Sequence, residues 1–99
     1  MIVETIFIGR NNTFSLQLLR AEKPINLLAI IGYSLTLSNG LVFNDLELFT
    51  EKVDGIVEIS IGDLLTPTDV GSHTAYLVTF DNINVAGIRW PNFKLKVKA

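Results

Sequence analysis

The sequence predicts an all-β protein: two antiparallel sheets packed face to face, built from about seven to nine short strands. Three observations carry this. Apolar and polar residues alternate with a period of two in many short stretches. Turn-forming residues punctuate the chain at intervals of roughly 8–12 residues. No long segment shows the 3.6-residue apolar spacing of an amphipathic helix.

The clearest alternation closes the chain. In Phe93-Lys94-Leu95-Lys96-Val97-Lys98 an extended backbone puts Phe93, Leu95 and Val97 on one face and three lysines on the other. From the start, Ile2 to Ile8 is rich in β-branched residues and reads as a strand. Gly9-Arg10-Asn11-Asn12 reads as a turn, since Gly and Asn tolerate positive φ. Phe14, Leu16 and Leu18 alternate with Ser15 and Gln17, and Pro24 then breaks the pattern.

The run from Asn26 to Ile31 is apolar after its first residue. Asn26 can cap one helical turn, and Tyr33, Leu35 and Leu37 alternate in a strand from about Ile30 to Ser38. Asn39-Gly40 signals a type I′ hairpin with Leu41-Val42-Phe43 pairing back, and Leu46 to Thr50 alternates again. Asp54-Gly55 signals a second hairpin, followed by Val57, Ile59 and Ile61. One helical turn is expected near Asp63 to Leu65, stopped by Pro67. Thr74 to Phe80 reads as a central strand, Asp81-Asn82 as a turn, and Ile83 to Trp90 as an irregular strand or loop. The whole pattern is that of an immunoglobulin-like β-sandwich.

The totals narrow the function. Ninety-nine residues make a single domain, 1–99. A chain of this length buries roughly two thirds of its unfolded surface. There are no cysteines, which excludes disulfides, thiol catalysis and cysteine-ligated zinc. That composition suits a reducing cytosol. A net charge of −2 gives no basic footprint for nucleic acid. No apolar run approaches the ~20 residues that span a bilayer, and Met1 to Thr5 has no secretory pattern. Neither nucleic acid nor membrane is therefore expected as a partner.

Candidate chemistry is sparse. Asp69, Ser72 and His73 invite a nucleophile–base reading, but neighbours on a strand point to opposite faces. The carboxylates, including Asp45, Glu47, Asp54 and Asp63, match no calcium-loop spacing. No Gly-rich phosphate loop is present. No catalytic, cofactor or metal site is expected.

Binding residues are easier to nominate. Trp90 is a candidate for stacking on a glycan, against the plainer reading that it closes one end of the core. Phe43 and Phe49, on short middle strands, are candidate interface residues, with core placement as the alternative. Lys94, Lys96 and Lys98 either protect an edge strand, solubilise an outer face, or contact an acidic partner.

Some of these segments also carry a family likeness. Arg10 to Leu18, then Lys23-Pro24-Ile25-Asn26-Leu27, then Tyr33 to Leu37 resemble the opening of the immunoglobulin-like domains of bacteriophage tail and baseplate proteins. In those domains a polar turn, an alternating strand, a proline corner and a second alternating strand follow one another. Leu64-Leu65, Thr68 to Gly71 and Tyr76 resemble the corner in which a glycine precedes a core-facing tyrosine. Here His73 stands at the tyrosine's usual place, and Tyr76 lies five residues beyond Gly71. Trp90-Pro91-Asn92-Phe93 is similar to the entry of the final strand.

The resemblance implies a non-enzymatic structural subunit of a virion: a tail, baseplate or head-completion component. It would be assembled in the bacterial host cytoplasm and act through contacts with other virion proteins or with copies of itself. The alternative from a different class is a carbohydrate-binding or adhesion module that recognises a cell-surface glycan through Trp90.

Overall fold

The computed structural model describes residues 2–9 and 12–99. Arg10 and Asn11, half of the expected first turn and the start of the family-like motif, lie outside the described residues.

The structure is mostly β. Among the described residues, eleven strands run as β1 Val3–Phe7, β2 Phe14–Gln17, β3 Leu19–Arg20, β4 Lys23–Pro24, β5 Ile30–Leu37, β6 Val42–Phe43, β7 Phe49–Glu51, β8 Ile56–Ile59, β9 Gly71–Asp81, β10 Ile88–Arg89 and β11 Phe93–Lys98. The helical pieces are three-residue 3-10 turns. The strand count exceeds expectation because the chain around Pro24 forms a two-residue hairpin pair and Ile88-Arg89 forms a two-residue strand on β9.

The strands form three sheets. The largest has the order β1-β11-β9-β5-β6, with β10 also on β9. The second is β2-β8-β7, and the third is the β3-β4 hairpin. Strand β1 runs parallel to β11, and the other pairs are antiparallel.

Alternation decides which side chains go inward. Ile6, Leu35, Leu37, Ala75, Leu77, Leu95 and Val97 of the large sheet are buried, as are Phe14, Leu16, Val57 and Ile59 of the second. All belong to one core cluster. Two aromatic pairs join the sheets: Phe14 meets Phe93 at 5.9 Å between ring centroids, and Tyr33 stacks on Phe49 at 4.9 Å. Fully burying a large apolar side chain contributes roughly 1.5–3 kcal/mol, so this cluster is the main source of stability.

Local chemistry corrects several boundaries. At Asn39-Gly40 the turn is not type I′. Among the two residues only Gly40 has positive φ, 95°. Gly40 N–H donates to the Leu37 carbonyl at 3.0 Å, and Leu37 N–H to the Leu41 carbonyl at 2.9 Å. This is a three-residue loop with glycine in the left-handed position. At Asp54-Gly55 both φ values are positive, 58° and 72°, as type I′ demands.

The alternation from Leu46 to Thr50 does not make one strand. Asp45 accepts a hydrogen bond from Glu47 N–H at 3.1 Å and caps a 3-10 turn over Leu46–Leu48 before β7 begins. Pro67 does not end a helical turn but opens a second one, Pro67–Asp69, at the position where its missing N–H costs least.

Between β10 and β11 the chain bulges. Ile88 pairs with Thr79, and Phe93 pairs with Ala75. Five steps along one strand thus match four along the other, so one extra residue is accommodated at Trp90-Pro91-Asn92. A proline is tolerated there because a bulge leaves a residue outside the ladder.

Candidate functional site

The structure places the nominated residues in four different settings. Lys94, Lys96 and Lys98 point outward from β11, in register with Val3, Thr5 and Phe7 of β1. On the other side Lys94 and Lys96 are in register with Thr74 and Ser72 of β9. Strand β11 is therefore paired on both flanks. The lysines do not protect a sheet edge, because the edge belongs to β1. The alternation fixes which face the lysines occupy, but not the strand's rank in the sheet.

A fourth cation joins this face. The Arg89 guanidinium lies 3.7 Å from the centroid of the Tyr76 ring, a cation–π contact, and its Nη2 donates to Asn92 Oδ1 at 3.1 Å. Tyr76 lies on β9 between inward Ala75 and Leu77. It faces outward, so the core-facing tyrosine of the family-like corner is absent here. The outward positions of β1, β5, β9 and β11 that surround these cations are Val3, Thr5, Phe7, Ser34, Thr36, Ser72, Thr74, Val78 and Phe80. None is a carboxylate. A chain of net charge −2 thus presents one face on which, among the described residues, every charge is positive.

Phe43 and Phe49, candidate contact residues, are core residues. Their side chains are 8% and 7% exposed. Phe43 is inward because it pairs with inward Leu35, and Phe49 because it stacks on Tyr33. Neither is available to a partner.

Trp90 sits in the bulge, half-buried against the core. Its indole N–H donates to Thr79 Oγ1 at 2.9 Å, which satisfies an otherwise buried hydroxyl, and its backbone N–H donates to the Leu77 carbonyl. The ring lines a mainly apolar cavity of about 190 Å³ together with Ile2, Leu16, Leu18, Leu77 and Phe93. Gln17 and Asn92 are its polar lining. The Gln17 amide is engaged by the Asp54 carbonyl, to which it donates at 3.0 Å.

Asp69, Ser72 and His73 are not assembled into a relay. His73 Nε2 donates to the Asp69 backbone carbonyl at 2.7 Å. The Asp69 carboxylate is held by Asn39 Nδ2 at 3.1 Å and by Thr66 N–H at 2.8 Å. Among the described residues no group of three or more His, Asp or Glu side chains converges on one point. No helix is long and apolar enough to cross a membrane.

One end of the molecule exposes apolar loops. Leu28 and Val53 flank an open hollow between the Ile25–Leu28 and Glu51–Gly55 segments. Ile83 is 90% exposed on the β9–β10 loop, where the Asp81 carboxylate accepts from the N–H groups of Asn84 and Ile83 at 2.6 and 2.8 Å. Those bonds, the Asn84 ones foremost, hold the Asp81 carboxyl below the usual carboxylate range.

Three contributors escaped sequence reasoning. Arg89 was hidden because its outward orientation depends on the bulge. Asn12 pins Phe7 through two bonds, accepting from its N–H at 3.0 Å and donating to its carbonyl at 2.9 Å. Glu4 lies on the inward face of β1, in register with Leu95, where burial pushes its carboxyl up. Its position in a β-branched run was the available signal: the alternation puts Glu4 on the same side as Ile6.

No protein-family model matches the chain, and no curated protein matches it.

Proposed function

We propose that this chain is a non-enzymatic structural subunit of a bacteriophage virion, a tail, baseplate or head-completion component that acts by docking to other virion proteins. Its fold in this reading is an immunoglobulin-like sandwich. The strand order supports that: β5, β9 and β11 lie side by side as strands C, F and G do in such a domain, and β2, β8 and β7 as B, E and D do.

The observation that carries the functional reading is the all-cationic outer face formed by Arg89, Lys94, Lys96 and Lys98 on a chain whose net charge is negative. Segregated charge of one sign favours docking to a surface of the other and speeds the encounter. The partner is thus an acidic surface of a virion protein. Assembly in the bacterial host cytoplasm follows from the same reading.

Mass spectrometry of purified virions from the phage whose genome encodes the chain tests it. The chain should be present in fixed stoichiometry with tail or head components. Its absence from virions would overturn the proposal.

The second reading, a carbohydrate-binding or adhesion module, draws on Trp90 beside the cavity with Gln17 and Asn92. A shift of Trp90 fluorescence on titration with host-surface glycans is its expected signature.

A further inference from the structure

Among the described residues, strand β1 has a neighbour on one side only. In its parallel pair with β11, the Ile2 carbonyl accepts from Lys94 N–H at 2.9 Å, and Ile8 N–H donates to the Lys98 carbonyl at 2.9 Å. A parallel ladder engages alternate residues of each strand. Ile2, Glu4, Ile6 and Ile8 therefore bond toward β11, while Val3, Thr5 and Phe7 direct their backbone groups the other way. The Asn12 carboxamide occupies both groups of Phe7. The N–H and C=O of Val3 and of Thr5 are left on an open edge, among the described residues, and such an edge is a template for another strand.

Two further features lie at this edge. Glu4 projects inward between them, half-buried, and no hydrogen bond or ion pair reaches it among the described residues. A carboxylate partly removed from water without a counter-charge is destabilised, and burial accordingly pushes this one up. One residue pair earlier, Ile2 lines the apolar cavity beside Trp90.

We propose that the β1 edge accepts an extended segment of another protein as an added antiparallel strand, with Lys or Arg opposite Glu4 and an apolar side chain two residues later, opposite Ile2 and the cavity. This is strand addition: backbone bonds to Val3 and Thr5 give affinity, and alternate side chains give specificity. A second copy of β1 does not fit in the register that engages both Val3 and Thr5. The two-fold axis that sets Val3 opposite Thr5 also sets Glu4 opposite Glu4, and like charges directly opposed are destabilising. The inference rests on the docking reading above and assigns that reading a contact beside the cationic face.

The test titrates the isotopically labelled full chain with a capped heptapeptide, Thr-Val-Thr-Lys-Thr-Leu-Thr, followed by nuclear magnetic resonance and Trp90 emission. Shifts and slowed exchange should appear at the Val3 and Thr5 amides, with a blue shift of Trp90 as the leucine enters the cavity. A peptide with Glu in place of Lys should bind about tenfold more weakly. Glu4→Lys should reverse that preference, and Thr5→Pro should abolish binding. Should the proline variant fail to fold, the Glu4→Lys reversal still decides. No binding at millimolar peptide, unchanged Val3 and Thr5 amides, or a preference indifferent to Glu4→Lys would overturn the proposal. Unchanged Trp90 emission overturns its cavity half. If the peptide fails while the chain is found in virions, the edge is wrong and the docking reading stands. If the peptide binds and virions lack the chain, the reverse holds.

Discussion

Gly40 and Gly55 share positive φ, 95° and 72°, but not surroundings. A Cβ on Gly40 would meet nothing within 4 Å. On Gly55 it would lie 2.7 Å from the Leu18 carbonyl oxygen and 3.3 Å from the Pro24 Cα, both backbone atoms that cannot swing aside. Gly40→Ala should cost about 1 kcal/mol, the left-handed penalty alone. Gly55→Ala should cost about 3 kcal/mol or more, because the turn must also part from the β2–β4 segment. Urea unfolding midpoints of the two variants check this. Both dipeptides, Asn-Gly and Asp-Gly, read alike in sequence. The dipeptide alone does not fix whether the glycine is the second turn residue or the bulge residue after it.

Tyr33 gives a pH prediction with a definite sign. Burial, then the hydrogen bond its hydroxyl donates to Glu51 Oε2 at 2.6 Å, push its phenol well above the ordinary tyrosine range. A phenol raised in the folded state keeps its proton there while the unfolded chain loses it. The contribution is fully present below about pH 10 and is lost progressively as pH rises beyond that. Stability should fall above that pH, and Tyr33→Phe should flatten the fall. Thermal melts between pH 8 and 11 read it directly.

At the scale of elements, β11 is the instructive case. Its bounds, Phe93–Lys98, and its inward face were legible in the alternation. Its interior rank was not. That rank depends on β1 pairing with it in parallel from the far end of the sequence, and a period of two says nothing about neighbours. The consequence is testable. Replacing Lys94, Lys96 and Lys98 together with serine would drive an edge strand to self-associate. Since β11 has no free flank, the variant should remain soluble and monodisperse, with stability changes within about 0.5 kcal/mol per site. Size-exclusion chromatography at rising concentration, with urea unfolding, checks both parts. The Leu46–Thr50 segment alternates as well, but the Asp45 cap holds its first three residues in a 3-10 turn.

For the whole molecule, most of the core was legible and most of the candidate surface was not. Burial follows the alternation, so the inward set could be read from spacing. The cationic face could not, because it unites Arg89 from one side of a bulge with lysines from the other. Nor could the inward turn of Phe43 and Phe49, which short strands leave ambiguous until their partners are known. A net charge of −2 concealed a face of one sign, since net charge records no arrangement. The body extends 38 × 24 × 22 Å, and the large sheet's outer face carries the four cations. The most direct test of assembly through that surface is native mass spectrometry. The pure chain would be mixed in turn with candidate partner proteins, the tail, baseplate and head-completion components that the proposed reading names. A defined complex with at least one of them, dissociated by salt and by the triple lysine-to-serine change, is the predicted result. A strict monomer that binds none of them would contradict the account.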